Sequence, residues 1–345
     1  MSGKTNQGHF FEDYHVGLKL NHATPRTVHD GDAAMYQALY GSRFAMQSSW
    51  DFASPQSSLR NPVMDDLLVF HTVFGKTVPD VSLNAVANLG YAECRFLSSV
   101  ESGDTIQAYS EVIGVKENSN GKTGIVWVRT KGFANVDRPV LEYVRWVMVK
   151  KRDAASPTPE TVVPDLAKVV APDALSVPAG LDWTRYDYTA AGEPHRLRDY
   201  TVGEVIDHVD GVTLTDAEHM MATRLWQNTA KVHFDVTARE GGKRLIYGGH
   251  IMSMARALSF NGLANAQLIA AINGGAHANP AFAGDTVRAW SEVLDTTPTN
   301  APGVGAIRLR LVATKGGPAG ALRGEDGKYL PDVLLDLDYW ALMPV

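Results

Sequence analysis

The sequence predicts an α+β chain built as two copies of one unit, each with an antiparallel sheet. Three observations predict it. An internal repeat runs through the chain in the same order in both halves. In each half helix-like segments come first and strand-like runs follow. No βαβ alternation appears, which points away from a parallel sheet and towards α+β.

The repeat is the first thing to read, because a long period changes the fold expectation entirely. FEDYHVG (Phe11–Gly17) returns as LRDYTVG (Leu197–Gly203), and at the same spacing His22 matches His208, Asp30 matches Asp216 and Met35 matches Met221. GDTIQAYSEVI (Gly103–Ile113) returns as GDTVRAWSEVL (Gly284–Leu294). VLEYVRWVMV (Val140–Val149) is echoed by LLDLDYWALM (Leu334–Met343). These matches divide the chain into an N-terminal unit (1–152), a Pro-rich linker (153–193) carrying SPTPETVVPD and APDALSVP, and a C-terminal unit (194–345). Prolines without apolar periodicity mark the linker as an extended crossing.

Within each unit a turn-rich entry leads to a short helix, Asp30–Tyr40 and Asp216–Trp226, with Asp30 and Asp216 as the expected N-caps. A longer helical segment follows. In the second copy it is HIMSMARALSFNGLANAQLIAAI, and in the first HTVFGKTVPDVSLNAVANLG, where Pro79 is expected to interrupt it. The strand-like runs are TIQAYSEVIGV, TGIVWVRTKGFA and VLEYVRWVMV in one copy, and TVRAWSEVLDT, GAIRLRLVAT and VLLDLDYWALM in the other.

Composition narrows the function. The net charge is −6, without the basic footprint of a nucleic-acid binder. The single cysteine, Cys94, excludes an intrachain disulfide and suggests an intracellular protein, with Cys94 itself a small buried apolar residue. The N-terminus has no apolar signal region, and no run approaches the roughly 20 apolar residues of a membrane helix. The expected location is the cytoplasm. No metal-ligand spacing, G-x-G-x-x-G or nucleophile elbow is found, so neither a metal nor a cofactor is expected.

The chemistry gathers in one segment. WQNTAKVHFD (Trp226–Asp235) carries an amide, a cation, an imidazole and a carboxylate, whereas its matched segment YGSRFAMQSS (Tyr40–Ser49) has Ser42 and Gln47 where the later copy has Asn228 and His233. Downstream, IYGGH (Ile246–His250) is a glycine turn ahead of the long helix. The helix, long central helix and antiparallel strands, duplicated in one chain, together with NTAKVH, HFD and IYGGH, resemble the MaoC-like hydratases of double hotdog fold. Asn61–Ala92 and Arg244–Leu263 extend the likeness over nearly the whole chain.

The resemblance implies two tandem hotdog domains, a catalytic C-terminal copy and a degenerate N-terminal one. It implies a hydro-lyase of the ethylmalonyl-CoA pathway that adds water to a carboxylate-bearing enoyl-CoA. His233 would move the proton, since its ordinary pKa suits acid–base work. The family motif has Asp five residues before His; here Asn228 stands there, so it would orient water without acting as a base. Asp235 or Glu218 would be auxiliary carboxylates, although Asp235 reads chiefly as structural. Gly248 and Gly249 would open the central helix, whose first N–H groups suit an enolate oxygen. A substrate carboxylate calls for a cation, with Lys231, Arg224, Arg43 and Arg256 as candidates. His71 and His250, at matching helix starts, read as packing or capping residues.

The expected partner is an acyl-CoA, with no nucleic acid and no membrane, and a homo-oligomer is left open. Rival readings are another enoyl-CoA hydratase 2-type enzyme, a hotdog acyl-CoA thioesterase, and a non-catalytic acyl-CoA-binding protein.

Overall fold

The computed structural model describes residues 3–238, 241–317 and 320–345. Ten strands form one antiparallel sheet: β1 (Lys19–Thr27), β2 (Ala85–Phe96), β3 (Thr105–Glu117), β4 (Thr123–Ala134), β5 (Arg138–Lys150), β6 (Val205–Thr213), β7 (Leu268–His277), β8 (Thr286–Pro298), β9 (Val304–Lys315) and β10 (Val333–Pro344). Four helices matter for the site: α1 (Asp30–Tyr40), α2 (Asp66–Val81), α3 (Asp216–Leu225) and α4 (Gly248–Leu258).

The strand order is β1-β3-β4-β5-β2-β7-β10-β9-β8-β6. Replacing each strand by its repeat counterpart gives the same order reversed, so a pseudo-two-fold axis runs between β2 and β7. Those two strands pair antiparallel, Tyr91 opposite Gly275 and Cys94 opposite Ile272. This is the double hotdog arrangement, two helix-filled units sharing one continuous sheet.

The strands follow from alternation. In β3 every second side chain is buried until the strand end, as a sheet with one covered face requires. In β10 nearly every residue is buried, because the linker covers its second face. Val170, Leu181, Trp183 and Tyr186 pack with Trp340 and Leu342, and Trp340 Nε1 donates to Val170 O at 3.2 Å. The crossing is thus extended, as its prolines suggest, but firmly packed.

Several local expectations change. The long helical segment of the second copy ends at Leu258, Gly262 takes φ +93°, and Leu268–His277 is a strand. A short apolar run reads equally as buried helix or buried strand, and here β2 and β10 flank it on both sides. The same holds in the first copy, where Ala85–Phe96 forms β2. Pro79 does not interrupt α2, which runs on to Val81. Asp30 and Asp216 are first helical residues rather than N-caps; those positions are His29 and Thr215. Asp216 instead pairs with Arg244 at 3.0 Å.

The matched histidines are structural. His22 joins Ser110 at 2.7 Å and Asp80 at 2.6 Å. His208 joins Ser291 at 2.8 Å and the Asn261 carbonyl at 2.7 Å. Each ties an edge strand to its neighbour and to the central helical region of its unit. Among the described residues no helix is long and apolar enough to cross a membrane.

Candidate active site

The segment after α3 folds around its own backbone. Thr215 caps α3 by accepting the Glu218 N–H at 3.2 Å, and its hydroxyl donates to Glu218 Oε2 at 2.8 Å. The helix stops at Leu225, and Gln227 takes φ +54°, a left-handed conformation that breaks the helical path. Asn228 is buried. Its N–H donates to Thr223 O at 2.9 Å, and its Oδ1 accepts the Ala230 N–H at 3.0 Å. This Asx turn uses the carbonyl oxygen and leaves the carboxamide N–H groups for another partner.

A single helical turn, Lys231–His233, then presents the imidazole. The chain returns at Leu245, whose N–H donates to Val232 O at 2.9 Å. His233 Nδ1 lies 2.8 Å from Leu245 O. A carbonyl only accepts, so Nδ1 carries the hydrogen and Nε2 keeps its lone pair. Burial pushes the His233 pKa down to about 4, against the pull of the Leu245 carbonyl, so the ring is neutral at physiological pH.

Three residues after Leu245, α4 begins at Gly248. Its first N–H groups lie outside the intrahelical ladder, and those of Gly248 and Gly249 meet no acceptor among the described residues. The glycines are needed for close approach, not for positive φ. A Cβ on Gly248 would lie 2.4 Å from His277 Nδ1, and one on Gly249 2.3 Å from Tyr247 Cε1 and 2.5 Å from His71 Cε1. Tyr247 links the two parts of the site, its ring 5.3 Å from that of His233 and 5.6 Å from that of Trp226.

Side chains of the first unit pack against α4. His71 Nε2 lies 3.1 Å from Ser253 Oγ, and Tyr40 Oη 2.7 Å from His250 Nδ1. His250 is in the first turn of α4, whereas His71 is in the second turn of α2, which starts earlier relative to its histidine. Ahead of His71 stand Val69 and Phe70, where Gly248 and Gly249 stand ahead of His250. Phe70 is fully buried against Tyr91 and Tyr143, and the start of α2 lies earlier, at Asp66, where Asp65 accepts the Leu67 N–H at 2.9 Å.

Sequence reasoning missed Gly75. A Cβ there would lie 1.8 Å from Trp226 O, so only glycine on α2 lets the segment bearing Asn228 and His233 dock. Arg26 adds a second tether by donating to Leu225 O. A lone glycine inside an apolar helix was the available signal. Gly75→Ala is expected to cost about 1–3 kcal/mol of stability and to reduce turnover; thermal unfolding and steady-state rates check it, and wild-type values in both would remove Gly75 from the site.

The remaining candidates are scattered. Lys231 and Arg224 are exposed near the segment. Arg43 is exposed, its guanidinium 4.3 Å from the Phe260 ring. Arg256 is buried, stacks 3.5 Å over Phe44, and donates to Ser259 Oγ and Ala266 O; its donors are engaged in holding the end of α4. Asp235 accepts from the Thr237 N–H at 2.9 Å and hydroxyl at 2.7 Å. Glu218 belongs to the α3 cap. Both carboxylates serve local backbone geometry. His233 and the Gly248-Gly249 turn meet around Tyr247, and Asn228, itself buried, lies five residues before His233 on the same segment.

The sequence model of the mesaconyl-CoA hydratase family matches residues 2–319. A mesaconyl-CoA hydratase of Cereibacter sphaeroides is 65% identical over 342 residues, covering 99% of each chain. A β-methylmalyl-CoA dehydratase of Chloroflexus aurantiacus is 56% identical, covering all of this chain and 99% of its own. Among solved structures, a MaoC domain dehydratase from Chloroflexus aurantiacus superposes with a TM-score of 0.96 at 55% identity, covering 99% of both chains. A double hotdog protein of Mycobacterium tuberculosis superposes at 0.75 with 25% identity, covering 97% of this chain and 98% of its own.

Proposed function

Because the chain belongs to the mesaconyl-CoA hydratase family, we propose that it adds water reversibly to mesaconyl-CoA to give β-methylmalyl-CoA, with His233 as the proton carrier. It is a hydro-lyase acting on an acyl-CoA thioester. The observation that carries the residue assignment is the locked tautomer of His233, whose Nε2 lone pair is kept available beside the glycine-opened start of α4.

The reaction balances within the substrate and one water. The Asn228 carboxamide N–H holds the water oxygen. His233 Nε2 takes one proton as the remaining hydroxide forms a bond to C3. The double-bond electrons move to C2 and the thioester carbonyl, giving an enolate whose oxygen meets the Gly249 N–H, with Gly248 beside it. His233 then returns the proton to C2. One residue thus does both transfers, as the absence of the family Asp requires. Burial lowers the basicity of His233, and the enolate charge offsets this, because imidazolium and enolate attract strongly in a dry site. The substrate carboxylate would meet Lys231 or Arg224, the exposed cations nearest in sequence. The N-terminal unit (1–152) serves as wall and the C-terminal unit (194–345) as catalyst.

The test is purified protein with mesaconyl-CoA, following enoyl-thioester absorbance and free thiol together. Loss of absorbance without thiol is expected. Thiol release would identify a thioesterase, and turnover of crotonyl-CoA alone would move the assignment to a different enoyl-CoA.

A further inference from the structure

We propose that His219 is a positioning residue for the reaction, setting the first N–H groups of α4 by accepting the backbone N–H of Tyr247. The inference rests on the hydratase reading above and extends it to a side chain outside the signature motif.

His219 lies on α3, fully buried. The Tyr247 N–H donates to its Nε2 at 2.8 Å. Tyr247 is the N-cap of α4, so this bond fixes the residue from which the Gly248 and Gly249 N–H groups are aimed. The ring also neighbours two further imidazoles, with centroids 6.0 Å from His233 and 5.7 Å from His250. One side chain therefore touches both halves of the machinery, the proton carrier and the helix start.

The bond also fixes the tautomer. An Nε2 that accepts must leave the hydrogen on Nδ1, and Nδ1 is buried without a partner among the described residues. A histidine kept for packing alone would carry that unsatisfied donor at a cost, where an apolar side chain would carry none. Burial pushes the His219 pKa down to about 3, with His250 and His233 adding to the effect. The ring thus stays neutral and able to accept.

The role makes a split prediction. Leucine fills similar space but offers no acceptor. Glutamine places an amide oxygen near the position of Nε2. His219→Leu is expected to lower kcat about 10–100-fold, the scale of a small misplacement of catalytic groups, with KM for mesaconyl-CoA within about threefold. His219→Gln is expected to recover most of kcat. Equal losses in both variants, or a His219→Leu enzyme with wild-type kcat, would overturn the proposal. If the leucine protein does not fold, His219→Asn takes its place, because its shorter amide falls short of Tyr247; wild-type kcat there would equally overturn it. Wild-type protein that ignores mesaconyl-CoA but hydrates crotonyl-CoA would refute the substrate reading alone, and the same variants measured on crotonyl-CoA would still decide the role of His219. Wild-type protein inert on both would refute both.

Discussion

Alanine at position 233 is expected to lower kcat on mesaconyl-CoA by about 10²–10⁴-fold, the range lost with a positioned acid–base group. KM should change much less. No carboxylate in the segment stands ready to replace the imidazole: Asp235 is held by Thr237 and Glu218 by Thr215. The same ring sets the acid limb of the pH profile. Its folded pKa is depressed from 6.5 to about 4 by burial, so the basic form persists as pH falls and is lost only near pH 4. The kcat/KM profile of the wild-type enzyme should therefore hold through pH 6.5, where an exposed histidine would already be half protonated. An alanine variant that retains turnover would remove His233 from the mechanism, whereas a limb centred near 6.5 would mean that the ring titrates like an exposed histidine.

Gly249→Ala is the second large effect. Its Cβ would overlap Tyr247 Cε1 at 2.3 Å and His71 Cε1 at 2.5 Å. Both neighbours are buried, so neither can yield without moving the start of α4. The N–H that would meet the enolate moves with it, and loss of one such donor costs about 10²–10³ in kcat. Gly31 provides the control. It is likewise the second residue of a helix, α1, and a Cβ there meets nothing within 4 Å. Gly31→Ala should leave turnover unchanged and stability unchanged or raised by up to about 1 kcal/mol. Comparable losses at both positions would mean that a methyl group at the second helical position, and not the crowded active-site turn, explains the effect.

Much of this was legible in the sequence because it is written in local pattern. Duplication shows as repeated motifs, and the exposed alternation of strands such as β3 shows as period two. The position of His233 shows as a motif beside a glycine turn. Elements buried on every side were harder. The run that became β7 begins with six buried residues, and β2 alternates clearly only at its end, where Glu93 and Arg95 flank buried Cys94; their pairing across the pseudo-two-fold axis decided strand over helix.

Fold class, repeat, family likeness and the segment richest in reactive side chains could be read from the chain alone, since each shows in local pattern. How those side chains are held could be seen only in the folded molecule. The Leu245 carbonyl that fixes the His233 tautomer, the Gly75 gap that admits Trp226, and the His219 ring that accepts the Tyr247 N–H all join residues far apart in sequence. Such contacts depend on distances in the packed fold, between the two units at Gly75 and within the second unit at His233 and His219, and no spacing along the chain encodes them.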